Sequence, residues 1–124
     1  SALAKEITSK GWKFTHDETA TDGTNCNIYI GGSVTFGLCS VGVNLKAIVI
    51  KGDASADFNP VFAVASMYQL NYPGGLEDKV TDTWLALTPG ESTTLDVDNG
   101  VFMTIQRTYD DGYGITYILG SHLP

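Results

Sequence analysis

The two cysteines of the chain, Cys26 and Cys39, bracket a segment whose pattern predicts a β-hairpin. The segment reads CNIYIGGSVTFGLC, and Gly32-Ser33 at its centre suits a two-residue type II′ turn. From that turn the antiparallel register runs outward along both strands and sets Cys26 directly opposite Cys39. The pair occupies a non-hydrogen-bonded position, where Cα atoms lie about 4.5 Å apart, within reach of a disulfide. We therefore predict a cross-strand disulfide between Cys26 and Cys39.

A disulfide at this position indicates an oxidising compartment, so we expect an extracellular or periplasmic protein. The alternative is a pair of separate buried thiols in a cytosolic protein. Closing a loop of about 14 residues stabilises a fold by roughly 3 kcal/mol in the chain-entropy model. Because 43% of the residues are hydrophobic, the chain can also build a core, and the bridge would support that core rather than replace it.

The length and charge of the chain narrow the classes of protein it can belong to. A length of 124 residues fits a single domain, which we expect to span residues 1–124. The net charge of −7 argues against nucleic acid as a partner, because phosphates require a cationic surface. A basic protein partner is compatible with this charge. No apolar stretch approaches the length of a membrane-spanning helix, so we expect no membrane insertion.

Short apolar–polar alternations, separated by turns roughly every 8–12 residues, predict a mainly antiparallel β fold. We expect a β-sandwich or a small barrel of about seven to nine short strands, preceded by a short N-terminal helix in ALAKEITSK. The segment 43–51 is typical of a central strand covered on both faces. In 58–70, Asn59-Pro60 favours a helix start whereas the valines and aromatics favour a strand; we favour the strand and leave the helix open.

Two further segments, 80–87 and 92–97, are predicted strands on either side of the turn TPGE. The pattern apolar–PGE–Thr–apolar resembles a connection common in immunoglobulin-like and fibronectin-like sandwiches. The likeness covers about ten residues and implies a sandwich fold and no activity.

The C-terminal hairpin is predicted from VFMTIQRTY and YGITYIL, which flank Asp110-Asp111-Gly112. A three-residue loop with Gly112 in the left-handed conformation would pair Tyr109 with Tyr113 and Arg107 with Ile115. We favour this register because it gathers almost all the large apolar residues on one face.

No set of residues in the sequence matches a catalytic motif, and we predict that the protein is not an enzyme. His16 falls in phase with Trp12 and Phe14, as a half-buried strand residue would, and His122 lies near the C-terminus. None of the serines lies in a nucleophile elbow, and the carboxylate pairs are sequence neighbours rather than groups converging across a cleft. The chain also lacks the glycine patterns of nucleotide-binding loops, so we expect no cofactor.

Four residues are candidate binding residues: Arg107, Tyr109, Tyr113 and Tyr72. Arg107 falls within an otherwise apolar face, where its guanidinium can stack on aromatic rings. The alternative for Arg107 is a stem that covers apolar surface while the charge reaches water or a carboxylate. Tyr72 lies in the turn NYPGG, beside Pro73-Gly74-Gly75, and Tyr109 and Tyr113 flank a turn, so we expect all three tyrosines to be exposed. Together they would form a recognition patch for a carboxylate, a sugar or a protein.

Asp96 and Asp98, in the turn DVDNG, are weak candidates for calcium ligands. The turn supplies oxygen ligands but lacks the spacing and the distal glutamate of a calcium-binding loop, so we expect no metal.

These observations predict a small acidic binding module, secreted or periplasmic, for protein–protein recognition or inhibition. Loop tips and one sheet edge would form its working surface. One alternative is a carbohydrate-binding domain that uses exposed tyrosines. A second alternative is the soluble domain of a pilus or filament subunit.

Overall fold

The computed structural model describes residues 2–53, 57–70, 72–98 and 100–119, which form three helices and seven strands. His122 and the side chain of Asp98 lie outside this part of the chain. The elements, in chain order, are α1 (Ala2–Ser9), β1 (Lys13–Thr19), β2 (Asn25–Gly31), β3 (Val34–Val41), β4 (Asn44–Gly52), α2 (Asn59–Met67), α3 (Leu76–Ala86), β5 (Ser92–Asp98), β6 (Val101–Arg107) and β7 (Tyr113–Ile118).

All seven described strands belong to one antiparallel sheet, in the order β1-β2-β3-β4-β7-β6-β5. The prediction of a mainly antiparallel β fold with a short N-terminal helix is thereby confirmed. The strands β1 and β5 lie at the two edges and do not pair with each other, so the sheet is not closed into a barrel.

The core lies between one face of the sheet and the three helices. Alternate residues of the inner strands point to this face, and several of them are completely buried. The helices contribute apolar side chains at helical spacing to the same cluster. The best-buried members are Phe36, Leu38, Ile48, Ile50, Val101, Met103, Ile105, Tyr113, Ile115 and Tyr117 from the sheet, with Leu3, Ile7, Val61, Val64 and Val80 from the helices.

The hairpin between the two cysteines has the predicted register. Cys26 pairs with Cys39 across β2 and β3, the two residues are joined by a disulfide, and their Cα atoms lie 4.0 Å apart. Gly32 has a φ of 59°, whereas Ser33 does not have a positive φ, which agrees with a type II′ turn. The described structure therefore confirms both the hairpin and the disulfide.

The segments 58–70 and 80–87 are helical, and our interpretation of them as strands is wrong. In α3 the buried Leu76 and Val80 and the half-buried Trp84 recur every four residues and line one helical face. Packing of this face on the sheet overrides the strand preference of the intervening threonines. The turn TPGE consequently connects a helix to a strand, which removes the basis of the resemblance to sandwich connections.

The C-terminal hairpin forms, but its register differs from the predicted one by two residues. Arg107 pairs with Tyr113, and Ile105 pairs with Ile115. The loop is therefore longer than predicted, and Asp111 rather than Gly112 has the positive φ, of 64°. Because side chains alternate with a period of two, this shift leaves the same apolar residues on the core face.

A bulge in β1 separates two residues that we expected on one face. Phe14 pairs with Tyr29, whose side chain points to the core face, whereas His16 pairs with Ile28 on the opposite face. The extra residue between them is Thr15, and it reverses the alternation of the strand. The predicted phase of His16 with Phe14 is therefore wrong.

Candidate functional site

The two edges of the sheet differ in how well they are protected from pairing with another strand. The edge strand β1 contains the bulge at Thr15, is exposed along its whole length and carries Lys13, Asp17 and Glu18. Bulges and charges of this kind are the usual protection of a sheet edge. The other edge strand, β5, reads STTLDVD and is regular from Ser92 to Asp96; its register shift and its two aspartates lie at the C-terminal end, at Asp96 to Asp98. Because its first four residues are regular and uncharged, β5 is the less protected edge.

The hydrogen-bond alternation of the β5–β6 pair shows which backbone groups of β5 point away from the sheet. Arg107 donates its backbone N–H to Glu91 O and accepts from Gly90 N, at 3.0 and 2.7 Å. Continuing from there, Thr93 and Leu95 are the residues of β5 that bond to β6. The N–H and C=O groups of the alternate residues, Ser92, Thr94 and Asp96, therefore face the free edge.

A groove of about 390 Å³ runs between this edge and helix α3. The side chains of Thr93 and Leu95 form its sheet side and are half-buried, while the equivalent positions of β6 are fully buried. The helix side carries one cation and one carboxylate beside short side chains. The lining residues of α3 are Lys79, Asp82, Thr83 and Ala86, and Leu87 follows them. The groove thus combines an apolar floor with charges of both signs.

Arg107, a predicted binding residue, fixes the end of α3 beside β5 and β6. Its Nη1 donates to Leu85 O at 3.3 Å and to Leu87 O at 3.0 Å, and these carbonyls end the helix. Its guanidinium carbon lies 4.4 Å from the centre of the Trp84 ring, and Nε donates to Asp111 Oδ1 at 3.0 Å. The side chain of Arg107 is thus engaged in the fold, in a helix-end role that the sequence pattern did not suggest.

The turn that leads into β5 is held by Glu91. Its Oε1 accepts the backbone N–H of Thr88 at 2.6 Å, and this bond lowers the pKa of the Glu91 carboxyl. The Glu91 side chain therefore closes the turn between Thr88 and Glu91, and this turn sets the direction in which the chain enters β5.

The three predicted binding tyrosines have different environments. Tyr109 is 87% exposed, and its ring lies directly over Gly90, where an added Cβ would come within 2.6 Å of it. Tyr113 is only 2% exposed, so the expectation that it is exposed is wrong; its hydroxyl donates to Asp57 O at 2.9 Å. Tyr72 is half-buried against the core. Among these three rings, only that of Tyr109 is largely open to a ligand.

The face of the sheet opposite the helices carries the disulfide. No described element covers this face, where Ile30, Phe102 and Ile118 are each about two-fifths exposed. The expectation that segment 43–51 is covered on both faces is therefore wrong within the described chain. His16 lies near the β1 end of this face, and its Nε2 is 3.2 Å from Glu18 Oε1.

From the sequence, Asp96 and Asp98 are weak candidates for calcium ligands, and no membrane insertion is expected. Asp96 is exposed on β5, and the described residues contain no group of three side chains that could hold a metal ion. None of the helices in the described ranges is long and apolar enough to cross a membrane.

Comparison of the chain with protein-family models, with curated proteins and with solved structures finds no match in any of the three. The functional argument therefore rests on the edge strand, the groove and the side chains described above.

Proposed function

We propose that this protein is a recognition module that binds an extended segment of a partner protein at the β5 edge. The partner segment would add an eighth strand to the sheet, next to α3. The observation that carries the proposal is the edge of β5, which is regular from Ser92 to Asp96, pairs with no other described strand on its outer side and has a groove directly beside it. In strand addition, backbone hydrogen bonds supply much of the affinity and alternate side chains supply the specificity.

The backbone chemistry of the edge defines the conformation of the partner. Outward N–H and C=O groups at Ser92, Thr94 and Asp96 are spaced two residues apart, so only another extended chain can pair with several of them. A strand added there would turn every second side chain into the groove of α3. The floor formed by Thr93 and Leu95 favours apolar side chains at those positions.

Charge favours a basic partner. The net charge of the whole chain is −7, and Asp96 lies on the edge strand itself. Complementary charge mainly accelerates association and excludes wrong partners. We therefore expect the bound segment to alternate apolar residues with residues that include lysine or arginine, and its affinity to fall as salt is added.

The proposal is tested by selecting binders from a random library of twelve-residue peptides and measuring them against a matched pair of variants. Thr94→Pro removes an outward N–H and leaves the backbone hydrogen bonds between β5 and β6 intact. Proline is tolerated at such a position on an edge strand. Thr94→Val keeps that N–H and serves as the control. We expect the proline to weaken peptide binding about tenfold or more, and the valine to leave it nearly unchanged.

Amide NMR shifts of the selected complexes should then cluster on β5 and on the groove side of α3. The proposal would be contradicted if the library yields no binder, or if the selected peptides bind the proline variant as tightly as they bind the wild type. Shifts confined to β1 or to the uncovered face of the sheet would contradict it as well.

The compartment is part of the same proposal. A disulfide-bonded recognition module is expected to work outside the reducing cytosol, in the extracellular space or the periplasm. Intact mass after alkylation without reductant should show no adducts in protein taken from its native source. Two adducts per chain would remove the argument for an oxidising compartment.

A further inference from the structure

A second cleft lies at the other end of the helical layer, between α1, α2 and the sheet. Its volume is about 400 Å³, which is the size of sites that hold small molecules. Its walls are mostly apolar, although Ser33, Asn59 and three charged residues also line it. The apolar lining residues are Leu3 and Ile7 from α1, Pro60, Ala63, Val64 and Met67 from α2, and Trp12, Val34 and Phe36 from the sheet side.

Two aromatic rings give this cleft its shape. Trp12 and Phe36 meet edge to face with their centroids 5.2 Å apart. Trp12 lies so close to Gly31 that an added Cβ there would come within 2.4 Å of the ring. Met67, which is 38% exposed, stands at the rim, and a flexible thioether side chain adapts readily to a guest.

The indole Nε1 of Trp12 has no acceptor within hydrogen-bond distance among the described residues, but it is buried beside Gly31. Because this atom is closed even to a water molecule, a guest in the cleft meets the apolar part of the Trp12 ring and not its N–H.

The charges at the rim exclude one class of guest. Glu6 and Lys10 form an ion pair at 3.4 Å, and Asp57 is the other charged residue that lines the cleft. Among the described residues of the lining, Lys10 is the only cation, and it is already paired with Glu6, so an anionic head group would meet Asp57 without an unpaired cation beside it.

We propose that this cleft binds a small uncharged aromatic or alicyclic molecule. The site is separate from the β5 edge and does not depend on the proposed recognition of a strand. It differs from that surface in the class of ligand as well, since an apolar concave site of this size suits a small molecule rather than an extended backbone.

The test uses two naphthalene dyes that differ in charge. Prodan is an uncharged naphthalene ketone, and anilinonaphthalene sulfonate is an anion. We expect prodan to bind saturably, with a blue shift of its emission, and the anionic dye to bind at least tenfold more weakly. Ala63→Phe, which fills the cleft, should abolish prodan binding. The matched control Ala86→Phe places the same side chain in the groove beside β5 and should leave prodan binding intact.

A second variant, Met67→Lys, tests the same cleft independently of whether Ala63→Phe folds. Met67→Lys adds a cation at the exposed rim and should improve binding of the anionic dye about tenfold while the protein stays folded. Equal binding of prodan by Ala63→Phe and the wild type, or no response of the anionic dye to Met67→Lys, would overturn the proposal.

Discussion

Replacing Arg107 by alanine should destabilise the protein strongly, although part of its side chain is accessible. Three interactions would be lost: the stacking on Trp84, the two hydrogen bonds to the carbonyls at the end of α3, and the ion pair with Asp111. The stacking is worth about 1 kcal/mol at a partly exposed site. Each hydrogen bond contributes about 0.5–1 kcal/mol.

The ion pair contributes least, because the Asp111 side chain is 56% exposed and such pairs stabilise by only about 0.5 kcal/mol. The total loss for Arg107→Ala is therefore about 2.5–3.5 kcal/mol. For a chain of this length it corresponds to a decrease in Tm of roughly 10 °C.

The assay is thermal unfolding followed by circular dichroism, with two comparison variants. Arg107→Lys keeps the charge but loses the planar stacking and one of the paired hydrogen bonds, so we expect about half of the loss. Asp111→Asn removes the charge of the ion pair, and asparagine tolerates the positive φ of this position, so Tm should fall by no more than about 2 °C. A decrease below about 3 °C for Arg107→Ala, or equal effects of Arg107→Ala and Asp111→Asn, would refute this account of Arg107.

Three further predictions concern the hairpin between the cysteines and the buried Tyr113. Gly31→Ala should lower the free energy of unfolding in urea by about 1–3 kcal/mol, because the new methyl group collides with Trp12; this loss should shrink when Trp12 is also replaced by leucine. The double variant Cys26→Ala/Cys39→Ala should lose about 2–4 kcal/mol, and a reductant should destabilise the wild type but not this variant. Burial, followed by the charges of two nearby aspartates, raises the pKa of Tyr113 from about 10 to about 12. The contribution of the protonated Tyr113 hydroxyl to the free energy of unfolding is therefore complete below pH 10 and is lost as the pH rises to about 12. In Tyr113→Phe the free energy of unfolding should consequently fall less steeply over that pH range. An equally steep fall in the variant would contradict this.

The hairpin between the cysteines could be predicted because its determinants are local. A two-residue turn fixes the pairing of every residue that follows, so the position of Cys26 opposite Cys39 follows from counting. The register of the last hairpin could not be obtained in this way. Its loop packs closely against a distant part of the chain. Gly112 lies in this loop, and a Cβ at that position would collide with Gly52 O.

The candidate site could not be predicted from the sequence, because it depends on two long-range facts. One is that segment 80–87 is part of a helix, which follows from the packing of Val80 and Trp84 and not from local preference. The other is that β5 lies at an edge, which is decided by the order of all seven strands. Arg107 was correctly singled out as unusual on an apolar face, but its partners at the end of α3 are about twenty residues away.

The disulfide also makes the hairpin 26–39 a closed covalent ring, with the exposed Gly32-Ser33 turn at one end and the bridge at the other. A protease that cuts this turn would therefore produce two polypeptides that remain joined through the cysteines, and β2 and β3 would stay in register. Only a cut followed by reduction would separate them. The turn is accordingly a place where the chain can be opened, or a reporter peptide inserted, without dividing the molecule.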